Sequence, residues 1–131
     1  WNELIPFLND HSGIRFALVP GNHDRFSKPF LTGIALEILP EAYPLGSFVL
    51  THAPAETSIA GKYQLCGHLH PGVVLGGRGR MRSTLPCFWF GKQMGVLPAF
   101  GNLTGVAAVQ PKPGDRVVVI ADGVCLELPT E

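Results

Sequence analysis

The sequence predicts an α/β (α+β) fold in one domain, and three observations carry that reading. An apolar pattern of helical period opens the chain, and short apolar runs of strand length recur through the rest. The 16 glycines and 12 prolines fall mostly between those runs, as punctuation. With 131 residues, 46% of them apolar and 15% charged, the chain can bury one hydrophobic core, and disorder is excluded. Residues 1–131 read as a single domain without repeats or low-complexity segments.

Trp1, Leu4, Ile5 and Leu8 share helical spacing and predict a helix over 2–11, with Pro6 best suited to a first turn, where its missing N–H costs nothing. A short strand follows at 15–19. The run 34–39 (IALEIL) fits either a strand or a helical turn. Strands are expected at 47–51 and 62–66. From Pro71 onward the pattern is β-rich: 73–75, 84–90 interrupted at Pro86, 96–100, 117–121 and 124–128. Asp122-Gly123 between the last two is a strong hairpin signal, because both residues accept the left-handed angles a tight turn needs.

Ten basic residues balance ten acidic ones, which excludes bulk attraction to nucleic acid or an anionic membrane and leaves only a local patch for such a partner. No apolar stretch approaches the roughly 20 residues that span a bilayer, and the start shows no secretory signal. The expectation is a cytoplasmic protein with no membrane partner. Cys66, Cys87 and Cys125 are odd in number and set among apolar neighbours, as buried free thiols would be. The chain begins on Trp1 with a helical apolar pattern already running, so entry in mid-domain is expected.

Four of the five histidines, His23, His52, His68 and His70, each come just after an expected strand. Loops at the carboxyl ends of strands gather at one edge of an α/β sheet, so these side chains are expected to converge. A lone histidine is most simply a surface or core residue; a His-x-His with two more at strand ends points to metal. In "CGHLHPG" (66–72) an extended backbone would put His68 and His70 on one side, about 7 Å apart at Cα. Paired metal ions sit about 3.5–4 Å apart, so each histidine would reach one. In "GNHD" (21–24), Gly21 permits the turn and Asn22 offers an oxygen ligand. His23 can act as a general acid and Asp24 can orient it.

The ordered set GNHD, "LTHAP" (50–54) and "GHLHP" (67–71) resembles the third, fourth and fifth motifs of the calcineurin-like metallophosphoesterases. The stretch 78–105 (RGRMRSTLPCFWFGKQMGVLPAFGNLTG) is similar to the ligase-associated DNA damage response nuclease subfamily, of PdeM type. The resemblance implies the C-terminal portion of a two-sheet, four-layer β-sandwich flanked by helices. It implies Asn22, His52 and His68 on one divalent metal, His70 on a second, and His23 assisting at the transition state. The metals would be Mn²⁺, the reaction hydrolysis of a phosphate ester by a metal-activated hydroxide, the substrate a phosphodiester such as DNA, and the wider partners a DNA ligase or helicase pathway. The superfamily's Asp-x-His and Gly-Asp motifs are absent from the residues before GNHD, so the expectation is an N-terminally truncated domain, weak or inactive alone. A non-catalytic metal-binding or nucleic-acid-binding module is the alternative. For the latter the candidates are Arg78, Arg80 and Arg82, which would line one face of an extended segment and contact phosphates, or else form a solvated strand face. The aromatic run 88–90 fits packing between two sheets, with at least one ring pointing outward.

Overall fold

The computed structural model describes residues 4–24, 36–55, 61–76, 82–101 and 104–129. The chain is mostly β-sheet, with one short helix among the described residues. Helix α1 (Leu4–Asp10) buries only Leu8 and carries Pro6 in its first turn, where no helical hydrogen bond is lost. Strands β1 (Phe16–Leu18) and β2 (Leu36–Ile38) pair in parallel as a small sheet, which settles the 34–39 ambiguity for residues 36–38.

Among the described residues the larger sheet has nine strands: β3 (Ala42–Leu45), β4 (Phe48–Thr51), β5 (Tyr63–Cys66), β6 (Pro71–Gly76), β7 (Arg82–Phe90), β8 (Met94–Val96), β9 (Ala107–Ala108), β10 (Arg116–Ala121) and β11 (Val124–Leu128). Its main path runs β11-β10-β7-β8-β5-β4-β3, and β6 and β9 branch from β7. Arg82 to Pro86 face β6, whereas Cys87 to Phe90 face β10. Pro86 does not interrupt the strand, contrary to expectation, because it stands at this change of partner, beyond the last residue that β10 pairs.

Directly paired residues share a sheet face, so the registers locate the core. Val49, Gln64, Cys66, Val96, Cys87, Val117 and Val119 all lie on one face, and all are buried. Trp89 shares it, with its indole N–H donating to Asp115 at 2.9 Å. Phe88 and Phe90 stack on the opposite, half-exposed face, centroids 6.1 Å apart. The β10–β11 hairpin turns on Asp122 and Gly123, both at positive φ as the sequence requires. A hairpin not anticipated joins β3 to β4 through Gly46-Ser47, with positive φ at the glycine alone. Strand β8 lies at 94–96 instead of 96–100: Gly95 lets Phe90 and Leu65 close over it, and any Cβ there would sit 2.7 Å from Phe90 Cδ1.

Cys66 and Cys87 are buried, and burial pushes both thiols up to about 11. Cys125 is exposed on β11, against expectation, since alternation on an edge strand turns it away from the core. A thiol-reactive disulfide reagent at about pH 8 is therefore expected to modify one cysteine in the native protein, lost in Cys125→Ser, and the other two only after denaturation. Rapid native modification of all three would contradict this packing.

Candidate metal centre

Strands β4, β5 and β8 run parallel, so the segments leaving their carboxyl ends open at one edge of the sheet. His52 follows β4, His68 follows β5, and the turn at 21–24 approaches from the smaller sheet. That turn closes on itself twice: the Gly21 N–H donates to Asp24 Oδ2 at 2.8 Å, and the Asp24 N–H donates to Gly21 O at 3.1 Å. Asn22 and His23 stand exposed at its tip. Among the described residues Asp24 makes no hydrogen bond to His23; its carboxylate holds the turn. Gly21 has no positive φ and serves another purpose, because a Cβ there would meet His52 Cε1 at 2.4 Å. The missing side chain is what admits the imidazole.

His52 Nε2 lies 3.0 Å from Asn22 Oδ1 and 3.0 Å from His68 Nδ1, and the two rings meet edge to face at a centroid distance of 4.8 Å. A ring nitrogen carries one proton or one lone pair, so it can serve only one of these neighbours in a linear hydrogen bond. Donors at right angles around a cation, with bonds of about 2.1 Å, stand about 3.0 Å apart. The donor set therefore fits a divalent ion that accepts nitrogen and oxygen together. No group of three or more His, Cys, Asp or Glu side chains gathers for a metal among the described residues; the amide of Asn22 completes the pair of imidazoles.

Buried Gln64 fixes the His52 segment. Its amide nitrogen donates to Thr51 Oγ1 at 2.6 Å and to Ala53 O at 3.1 Å, and its Oε1 accepts from the Ala55 N–H at 3.3 Å. The Gly67 N–H also donates to His52 O at 3.0 Å, joining the two histidine segments. Gln64 belongs to no motif; its one signal in the sequence is a polar residue on the core-facing register of an apolar strand.

His68 is not extended, as the spacing argument assumed. It has φ 65° and occupies the centre of a γ-turn closed by Leu69 N–H to Gly67 O at 2.7 Å, a strained conformation. His70 is also left-handed, at φ 47°, and its carbonyl accepts the Ala107 N–H at 2.9 Å. Long-range backbone bonds on either side impose these angles. Arg82 is exposed opposite Gly76, four strand positions from Gly72, hence about 13 Å along the strand from the histidine turn. Arg78 and Arg80 lie outside the described residues.

Burial holds the His52 imidazole below its usual pKa, reinforced by His68 and then by His23 and His70, with Asp24 opposing. A ring kept neutral presents its lone pair to a cation. Placing a methyl group at position 21 should displace that ring. Gly21→Ala is expected to weaken Mn²⁺ binding by about tenfold or more in calorimetric titration, with an unchanged circular dichroism spectrum. Wild-type affinity in this variant would show that the His52 position is immaterial.

No protein-family model matches the chain, and no curated protein matches it. Among solved structures it is similar to the crystal structure of Pseudomonas putida nuclease MPE, with a TM-score of 0.76 and 29% sequence identity over 96% of this chain and 60% of that one. The chain thus shares its fold with a nuclease, and it spans 60% of that protein's length.

Proposed function

We propose that this chain carries the metal-binding part of a phosphoesterase site, of the calcineurin-like type, that hydrolyses phosphodiesters as a nuclease. The single observation that supports it most is the 3.0 Å approach of His52 Nε2 to both Asn22 Oδ1 and His68 Nδ1. The likeness to a nuclease adds the substrate class. Asn22, His52 and His68 would hold one divalent ion, Mn²⁺ by the chemistry of the donors, and His70 would offer a ligand to a second. A bound ion supplies Lewis-acid polarisation of the phosphoryl group and acidifies water. His23, exposed at the tip of its turn, donates a proton to the departing alkoxide oxygen.

Asn22, His52 and His68 are all neutral donors, so the cation's charge is left uncompensated. That favours weak binding by this chain alone and supports a second reading, a metal-binding module without turnover. Hydrolysis of a single-stranded oligonucleotide or of bis(p-nitrophenyl) phosphate separates the two. The enzyme reading expects Mn²⁺-dependent turnover that a chelator abolishes and that His68→Ala lowers by about 100-fold or more. Mn²⁺ binding that His68→Ala destroys, with no turnover in the wild type, would favour the module. His23→Ala should lower kcat by about 100-fold or more and leave Mn²⁺ affinity intact. An unaltered kcat would remove the general-acid role.

A further inference from the structure

The segment from Leu97 to Val106 is tied to both sides of the histidine turn. At one end the Leu97 N–H donates to Cys66 O at 2.7 Å, just before Gly67. At the other the Ala107 N–H donates to His70 O at 2.9 Å, and β9 pairs with Pro71 and Gly72. A Cβ on Gly72 would collide with Val106 Cγ1 at 2.0 Å, so this end is packed closely against β6. The described residues at its two ends are therefore anchored at the two ends of the turn 67–70, whose His68 meets His52.

Phe100 lies in it and is 91% exposed, the most exposed of the large apolar side chains among the described residues. It stands three positions after Leu97, a reach of at most about 11 Å. Leu97 and, on the histidine turn itself, Leu69 are exposed as well, at 40% and 38%. The aromatic run on β7 is engaged within the fold: Phe88 and Phe90 stack on each other and Trp89 donates to Asp115. On a segment anchored at both ends of the histidine turn, an aromatic ring left in water suits a nuclease, because every base presents a flat face and stacking needs no particular sequence. With zero net charge, the chain has no bulk electrostatic attraction to hold a nucleic acid, so contacts with the bases carry more of the binding.

We propose that Phe100 is a stacking platform for an unpaired base of single-stranded nucleic acid, next to the phosphate held at the histidine centre. This rests on the nuclease reading for the identity of the substrate. A base inside a duplex has both faces covered, so the platform selects single strands.

Binding without turnover tests it. An oligonucleotide carrying 2-aminopurine is titrated with the full chain in the presence of chelator, and base stacking is read as fluorescence quenching. Quenching by the wild type is expected, with affinity weakened about 5- to 150-fold in Phe100→Ala and retained in Phe100→Trp. An oligonucleotide with an abasic site at the probe position should bind both proteins equally. Quenching that is identical in wild type and Phe100→Ala, or absent in both, would overturn the proposal. Phe100-dependent quenching in a protein that never hydrolyses DNA would uphold the platform while the nuclease reading fails.

Discussion

One imidazole nitrogen with two close neighbours is the constraint on which the site depends. His52 Nε2 cannot satisfy Asn22 Oδ1 and His68 Nδ1 with a single proton, yet the fold holds all three together. Holding them costs something in each segment. Gly21 gives up its side chain so that the ring fits, and His68 adopts a γ-turn that non-glycine residues avoid. Concentrated strain around converging donors is typical of binding sites, where the surrounding structure over-determines the geometry.

The scaffold that imposes it is the parallel trio β4, β5 and β8, whose carboxyl ends share one edge. Gln64 is central to it, since one buried amide serves Thr51, Ala53 and Ala55 at once and locks the segment that bears His52. Its three hydrogen bonds offset the cost of burying a polar group, and no buried side-chain polar atom lacks a partner among the described residues. The same register that buries Gln64 aligns Cys66 and Val96 beneath the site. The packing of the core and the placement of His52 and His68 are thus consequences of one sheet face.

Much of this was legible in the sequence where the signal is local. Asp122-Gly123 marks its hairpin because the turn demands positive φ and these residues supply it. The convergence of Asn22, His52 and His68 could be anticipated because each follows a strand end. Long-range packing hid the rest. The β3–β4 hairpin carries no such local signal: Pro44 lies within β3, and a sheet admits proline there only because β3 is an edge strand. The angles at His68 and His70 are imposed by bonds to and from residues 52, 97 and 107, which no local pattern reveals. Phe100 looked like the end of a strand that in fact stops at Val96.

The convergence is tested most directly by adding Mn²⁺ in small fractions of an equivalent and following the imidazole Cε1–H and side-chain amide resonances, which a nearby paramagnetic ion broadens. His52, His68 and the amide of Asn22 are expected to broaden first and together, while His11, stacked on Phe7 and hydrogen-bonded to its carbonyl, stays sharp. A sharp His52 or His68 line at a point where His11 is already broadened would contradict a metal centre at this place.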